Sequence, residues 1–173
     1  MGKVMAVNIS EKRGTQKVNV HTVKLIENYG LENDAHAGNW HRQVSLLSYE
    51  KIEEFKAKGA PVQDGAFGEN LIVQGFDFRT LPVGTRLKCN DVILEITQIG
   101  KQCHNGCEIF KIMGDCIMPR EGVFARVIHG GDIANFAAGY YPPSSNRGTY
   151  AAASGDNPSG FSATRCTANE FDV

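Results

Sequence analysis

The chain of 173 residues carries 18 lysine and arginine residues against 19 aspartate and glutamate residues, a formal net charge of -1. This balance gives no chain-wide attraction to nucleic acid or to an anionic membrane, and we expect neither partner. Five cysteines are an odd number and too few for a disulfide-dense scaffold. No apolar run reaches the roughly 20 residues of a membrane span, and no signal-peptide core follows Met1. The sequence therefore predicts a cytoplasmic protein with reduced thiols.

The chain divides into two parts of different composition. Residues 1–133 alternate apolar and charged residues, and their 16 basic and 16 acidic side chains cancel. Residues 134–173 contain no lysine, and 23 of these 40 residues are Ala, Gly, Ser, Thr or Pro. Such a segment has little apolar surface whose burial would offset the entropy lost on ordering. We therefore expect one domain over residues 1–133 and a disordered or loosely attached tail over residues 134–173.

Short β-strands dominate the first part. Apolar and β-branched runs predict them, in chain order, at residues 4–9, 18–20, 23–26, 43–47, 71–73, 85–89 and 92–97. Asn90 and Asp91 separate the last two runs, which favours a tight hairpin because both residue types tolerate a positive φ.

Only one helix has a strong signal, at residues 49–58, where Ser48 can cap the first turn and Gly59 can end the last one. A shorter helix is predicted near Glu108–Met113. Many short strands, few helices and no alternating βαβ pattern predict a β-rich barrel or sandwich.

The first polar cluster covers residues 33–43, directly before a predicted strand. Imidazole and guanidinium groups in one glycine-containing loop can hold an anion, since an arginine such as Arg42 can form two parallel hydrogen bonds with a phosphate. His36 and His41 are five residues apart, which is not the spacing of a helical zinc pair. The alternative is a solvated loop whose Trp40 packs on the barrel.

The second polar cluster covers residues 64–70, again before a strand. Its paired glycines allow either a close backbone approach to a ligand or a tight turn. Asn70 offers donors and an acceptor, and Asp64 and Glu69 can act as acid–base groups. Taken by itself, the motif is more typical of a turn.

The third polar cluster contains the most reactive side chains. Cys103 lies in a polar loop near Lys101 and His104, an electropositive setting that favours a thiolate, which is also a soft metal ligand. Cys107 and Cys116 have more apolar neighbours, as buried cysteines usually do. A structural zinc site is the alternative, but cysteine spacings of 4 and 9 lack the close pairs of a zinc knuckle.

The last polar cluster is the strand-like run over residues 122–131. Arg126 is its one charged side chain, and strand alternation places it on the opposite face from Val123, Ala125 and Val127. Arg126 is therefore either a surface residue or the anchor of a ligand.

Taken in order, these clusters resemble the motifs of a MOSC domain, which is named for the C-terminal domain of molybdenum-cofactor sulfurases. The motifs are Asp-Ala-His-Ala-Gly, His-Arg-Gln-Val-Ser-Leu-Leu, Gly-Ala-Phe-Gly-Glu-Asn-Leu, Gly-Lys-Gln-Cys-His and Arg-Glu-Gly-Val-Phe-Ala-Arg-Val. The resemblance covers residues 1 to about 133 and implies the short, stand-alone form. It implies a β-rich, mixed α/β fold, a MOSC-type β-barrel with one or two short helices. The family usually closes with a strand near a Gly-Asp pair, so here the last strand is expected to be missing or replaced.

The resemblance also implies a site. Cys103 matches the family cysteine, known in related proteins as a molybdenum ligand or proposed as a persulfide carrier, and is the expected catalytic and metal-binding residue. The cofactor implied is the molybdenum cofactor, molybdopterin. The residues that match positions expected to line its pterin and phosphate are His36, Arg42, Gln43, Glu69, Asn70 and Arg126. No pyridoxal phosphate is expected, because it belongs to an aminotransferase-like domain that this chain does not contain.

Two functions follow from the resemblance. The first is a molybdenum-dependent reductase of N-hydroxylated compounds, an oxidoreductase that takes electrons from a donor protein. The second is a carrier, either of persulfide sulfur received from a sulfur-donor protein or of the cofactor itself. A barrel whose metal site has decayed is the third alternative.

Overall fold

The computed structural model describes residues 2–103, 107–135 and 164–169. The elements in chain order are β1 (Gly2–Ile9), β2 (Val18–Asn19), β3 (Thr22–Ile26), β4 (Gly30–Leu31), β5 (Val44–Ser48), α1 (Tyr49–Ala57), β6 (Leu71–Gln74), a short 3-10 helix (Phe78–Thr80), β7 (Arg86–Cys89), β8 (Val92–Ile99), α2 (Glu108–Met113), α3 (Met118–Glu121), β9 (Val123–His129), β10 (Gly131–Ala134) and β11 (Arg165–Asn169). None of the helices in these ranges is long and apolar enough to cross a membrane.

Seven of the strands close into a barrel. Their order around the ring is β11-β7-β8-β9-β5-β6-β1, and β11 also pairs with β1. A ring with an odd number of strands cannot alternate direction throughout, and the one parallel pair is β5 with β6, joined by α1. β2 extends β1 outside the ring, and β10, β3 and β4 form a separate small sheet. The predicted β-rich barrel with few short helices is confirmed, whereas the single βαβ unit β5–α1–β6 was not predicted.

Local predictions agree with the structure to within a few residues, but their details differ. Asn90 in the β7–β8 turn has a φ of 55°, whereas Asp91 does not adopt a positive φ. Ser48 occupies the N-cap position of α1, yet its hydroxyl donates to Glu50 Oε2 at 3.0 Å and makes no cap bond with the helix backbone.

Two apolar clusters stabilise the barrel. The larger one fills its interior with alternate side chains from the strands. The smaller one lies between the outer face of β5 and β6 and the helices, where Ile52 and Phe55 of α1 meet Met118 of α3. All five residues of β5 are buried, because one face of this strand points into the barrel and helices cover the other. The second cluster therefore holds α1 and α3 against the barrel wall.

The prediction of a disordered segment after residue 133 is wrong for residues 134–135 and 164–169. Ala134 belongs to β10, and its backbone N–H donates to Thr164 Oγ1 at 2.9 Å. β11 lies between β7 and β1 and so supplies the strand that closes the ring. A composition averaged over forty residues does not reveal a strand of five residues. β11 needs no long apolar run, because β7 and β1 offer it backbone hydrogen bonds on both sides. The rest of the predicted tail lies outside the described residues.

The prediction of reduced thiols is wrong for two of the five cysteines. Cys166 of β11 lies directly opposite Cys89 of β7, and the two form a disulfide. Both residues are almost fully buried in the barrel interior. The other three cysteines are free.

Candidate functional site

The loop that carries Cys103 is fixed by its backbone. It begins where β8 ends, at Gly100, whose φ of 68° and close neighbour both require glycine: a Cβ there would lie 2.5 Å from the Pro119 carbonyl oxygen. The Gly100 N–H donates to Gly122 O at 2.6 Å, and the Lys101 N–H to Pro119 O at 3.4 Å. These bonds hold the loop against α3, and the Cys103 side chain is exposed beyond them.

A cavity of about 480 Å³ lies beside this loop. Its wall contains Cys103, Cys107 and Cys116 together with Lys101 and other residues. Within the described part of the chain, no three His, Cys, Asp or Glu side chains are grouped so that they could hold a metal ion. The three thiols line one cavity. His104, which follows Cys103 in the sequence, lies outside the described residues.

A second cavity, of about 520 Å³, lies on the other side of α2. Its wall is formed by residues 14–16, by the loop at residues 61–68 and by one side of α2. Cys107, directly before α2, borders both cavities. The helix therefore separates the two spaces, and the glycine-rich second motif faces the larger one.

His36 belongs to a buried charged cluster that the sequence did not reveal. The Lys17 ammonium donates to Asp34 Oδ1 at 2.6 Å, to His36 Nδ1 at 3.2 Å and to Ser10 Oγ at 3.4 Å. Burial, and then the Lys17 charge, lower the pKa of His36 below its ordinary value. The imidazole is therefore neutral near pH 7, and the Lys17 bond to Nδ1 leaves its proton on Nε2.

Lys17 and Asp34 are the residues that sequence reasoning missed. Lys17 follows a polar turn, where a lysine is usually solvated, yet its side chain is only 2% exposed. The sequence contains one signal for this cluster, the density of polar residues around Asp34. It does not show that Lys17 is the partner of Asp34, because a buried ion pair joins residues from different parts of the chain.

Arg42 is an unpaired cation packed between aromatic rings. Its guanidinium carbon lies 4.8 Å from the centre of the Trp40 ring and 5.4 Å from that of Phe124. Its Nε is buried without a hydrogen-bond partner, and no carboxylate among the described residues forms an ion pair with it. Trp40 Nε1 donates to the His36 carbonyl oxygen at 2.9 Å, which joins Arg42 to the histidine loop.

Hydrogen bonds also join the first motif to the cysteine loop. His41 Nε2 lies 2.9 Å from Gln98 Oε1, and Gln98 Nε2 donates to Gly100 O at 2.7 Å. In addition, Lys101 is one of the charges that lower the pKa of His36. The structure therefore brings the loops of His36, Arg42 and Cys103 into one region.

Three of the predicted cofactor-binding residues are buried in the fold. Gln43 accepts from the Val127 N–H at 2.9 Å and donates to Asn28 Oδ1 at 3.2 Å, so it links β5 to β9. Asn70 accepts from the Ser45 N–H and donates to Asn8 O, both at 3.0 Å. Because Gln43 and Asn70 are at most 1% exposed, we interpret them as residues that position the surrounding strands.

Glu69, the third, shapes the glycine-rich loop from inside. Its two carboxylate oxygens accept from the Gly65 N–H at 2.7 Å and the Phe67 N–H at 2.9 Å. Gly65 has a φ of 84°, and a Cβ there would collide with the Lys17 carbonyl oxygen. Gly65, Ala66, Phe67 and Gly68 line the second cavity, so Glu69 acts on that cavity through the loop it holds.

We expect Glu69 to make the protein more stable at low pH. Burial raises the pKa of Glu69 to about 7, against the lowering effect of its backbone hydrogen bonds. Because the pKa of Glu69 is higher in the folded protein than in the unfolded chain, the group contributes its full stability below the unfolded-state pKa. This contribution is lost as the pH rises to about 7. The free energy of unfolding from urea titrations should therefore fall by roughly 1–3 kcal/mol between about pH 5 and about pH 8 through this group.

Glu69→Gln is the variant that isolates this effect. It should be less stable overall, because an amide can accept only one of the two backbone bonds, but its unfolding energy should depend less on pH than that of the parent. Parallel pH profiles for parent and variant would contradict the assignment.

Arg126 is held by an ion pair on the outer face of β9. Its guanidinium donates to Glu95 Oε1 at 2.8 and 3.1 Å, and Arg86 pairs with the other carboxylate oxygen at 3.2 Å. The Arg126 side chain is 48% exposed, on the outward face that strand alternation predicted. It lines neither of the two cavities.

The fold and the site together define a small closed β-barrel domain that presents a cysteine from the loop after one strand. The model of the MOSC domain family matches residues 33–135, more than half of the chain. The chain therefore belongs to the MOSC domain family.

Solved structures agree on the fold. The YuaD protein of Bacillus subtilis superposes with a TM-score of 0.65 at 18% identity, over 78% of this chain and 92% of that one. YiiM from Geobacillus stearothermophilus gives a TM-score of 0.58 at 17% identity, over 78% of this chain and 71% of that one. No curated protein matches the chain.

Proposed function

We propose that this protein binds the molybdenum cofactor, with Cys103 as the metal ligand, and reduces N-hydroxylated compounds. The observation that carries the proposal is the exposed Cys103 thiol on the wall of a 480 Å³ cavity, joined through hydrogen-bonded loops to an unpaired guanidinium. When bound, the cofactor supplies two-electron redox chemistry that removes an oxygen atom from the substrate. A donor protein supplies the electrons.

The side chains of this region suit the two ends of such a cofactor. A thiolate is a soft ligand of the kind molybdenum accepts, and Cys103 is free and exposed. A phosphate needs donors that no carboxylate already occupies, and among the described residues Arg42 meets this condition, with an orphaned Nε. Its aromatic neighbours hold the guanidinium plane in place, which reduces the entropy lost on binding.

His36 contributes a neutral donor rather than a positive charge. Because Nδ1 accepts from Lys17, the Nε2–H is free to donate to an oxygen of the cofactor or of the substrate. The buried Lys17–Asp34 pair fixes this orientation from behind. We therefore assign Lys17 and Asp34 as positioning residues and His36 as the residue that contacts the ligand.

Arg42→Gln should weaken cofactor retention, and Arg126→Gln should not. Loss of a charge-assisted hydrogen bond costs roughly 1–3 kcal/mol, which is about a 5- to 150-fold loss of affinity. The measurement is the molybdenum and pterin content of each variant, purified from a host that makes the cofactor and dialysed in parallel. If Arg42→Gln retains as much molybdenum and pterin as the parent, or if Arg126→Gln loses as much as Arg42→Gln, the phosphate of the cofactor does not bind at Arg42.

A second candidate function is that of a persulfide carrier. It is favoured by the two further free thiols, Cys107 and Cys116, on the wall of the Cys103 cavity, since a metal ligand needs only one. Amidoxime reduction by the molybdenum-loaded protein with an artificial electron donor supports the reductase. Sulfane sulfur on Cys103 without such turnover supports the carrier.

A further inference from the structure

The three free thiols of the cavity differ in how they are held. Cys103 and Cys107 are exposed, whereas Cys116 is only 6% exposed and packs in the second apolar cluster beside Ile117 and Met118. The Cys116 backbone is tied as well, because its N–H donates to Asp115 Oδ1 at 2.8 Å. A thiol that has to reach another sulfur atom needs access and freedom of movement, which favours Cys107 over Cys116.

Cys107 lies at the start of a short helix that has no fully buried side chain. Its carbonyl oxygen accepts from the Lys111 N–H at 3.1 Å, so Cys107 moves together with the first turn of α2. No residue of α2 is buried, and Phe110 and Ile112 are 40% and 60% exposed. Only the half-buried Ile109 and Met113 pack against the second apolar cluster. A helix of six residues held by two partly buried side chains can shift by a small distance at a low cost in free energy. Cys107 can therefore approach Cys103 across the cavity that both residues line.

We propose that Cys107 is a resolving thiol that discharges a persulfide on Cys103 as sulfide. This proposal rests on the carrier form of the proposed function. In the loading step, the Cys103 thiolate attacks the outer sulfur of a low-molecular-weight persulfide. A bond forms between Cys103 Sγ and that sulfur, the donor's own S–S bond breaks, and the donor leaves as its thiolate.

The discharge itself is a thiol–disulfide exchange. The Cys107 thiolate attacks Cys103 Sγ, the bond between the two cysteine sulfur atoms forms, and the bond from Cys103 Sγ to the sulfane sulfur breaks. The sulfane sulfur leaves as HS⁻ and is reduced by two electrons, while the two cysteines are oxidised to a disulfide. An external dithiol then reduces the Cys103–Cys107 disulfide and restores both thiols. The protein in this way delivers sulfide, the fully reduced form of sulfur, to an acceptor.

The test loads the full chain and two matched variants, Cys107→Ser and Cys116→Ser, with glutathione persulfide. After desalting, released sulfide and intact mass are followed over time. The parent and Cys116→Ser should release about one sulfide per chain and end about 2 Da lighter than the same protein before treatment, in which Cys89 and Cys166 are already joined, through one new disulfide. Cys107→Ser should keep about 32 Da of added sulfur, mapped to Cys103, and release sulfide at least about tenfold more slowly.

The outcomes separate the two levels of the proposal. Sulfur retained on Cys103 in Cys107→Ser, together with parental behaviour of Cys116→Ser, supports the resolving role. Parental release by Cys107→Ser, or loss of release in Cys116→Ser, overturns the resolving role while the carrier function stands. Absence of added sulfur on Cys103 in Cys107→Ser overturns both.

Discussion

Cys103→Ser should abolish molybdenum retention and persulfide loading while the barrel stays folded. The loop around Cys103 is held by backbone bonds of Gly100 and Lys101 to α3, and the exposed thiol is not part of either apolar cluster. Serine keeps nearly the same shape but removes the soft sulfur ligand and the nucleophile. The measurements are molybdenum content, the sulfide released after persulfide treatment and the urea midpoint. We expect the first two to fall to background. The free energy of unfolding should change by no more than about 0.5 kcal/mol, so the urea midpoint should stay close to that of the parent.

Cys116→Ser is the matched control for this experiment. It lies on the wall of the same cavity but is buried, so it should lose some stability through packing and keep both molybdenum and persulfide loading. An equal loss of loading in Cys103→Ser and Cys116→Ser, with zinc bound to the parent protein, would replace this assignment by a structural metal site.

Local sequence patterns predicted most of the barrel strands, because apolar side chains recur at every second residue of a strand that has one buried face. The outward facing of Arg126 followed from this period alone and agrees with the structure. The pattern does not say which partner a side chain finds, since Glu95 meets Arg126 only through the pairing of β8 with β9. For that reason the pattern leaves open whether Arg126 is a surface residue or a ligand anchor, and the structure adds that its guanidinium forms an ion pair with Glu95.

The same limit explains the buried polar residues. Gln43, Glu69 and Asn70 stand in motifs with the density of a binding site, and the sequence alone does not separate a side chain that binds a ligand from one that holds a loop. The structure separates them by burial and by bonds to distant backbone groups, such as Gln43 to Val127. Among the described members of the motifs, Cys103 is exposed, and the buried Nε of Arg42 has no hydrogen-bond partner.

The closing strand marks the second limit of local patterns. β11 is short, carries Arg165 and Thr167 on exposed positions, and is separated from β10 by many residues of low apolar content. Its place in the ring depends on two partner strands and on a covalent bond to Cys89, all of them distant in sequence. Composition averaged over the whole C-terminal region therefore pointed to disorder where the barrel is in fact completed.

Removal of the Cys89–Cys166 disulfide should be among the most destabilising single changes in this protein. The bond joins residues 77 positions apart, and for a loop of this length the chain-entropy estimate is about 4.5 kcal/mol, within a usual range of roughly 2–5 kcal/mol. Without it, β11 relies on backbone pairing alone to keep β7 and β1 joined, and the buried interior near Cys89 becomes accessible when β11 separates. The measurement is the urea midpoint with and without a reductant, for the parent and for the double variant Cys89→Ala/Cys166→Ala. The reductant should lower the parent's midpoint to near that of the double variant and should leave the double variant unchanged, because the remaining thiols are already free. A parent midpoint that does not respond to reductant, or an equal fall in the double variant, would show that the disulfide does not hold the barrel closed.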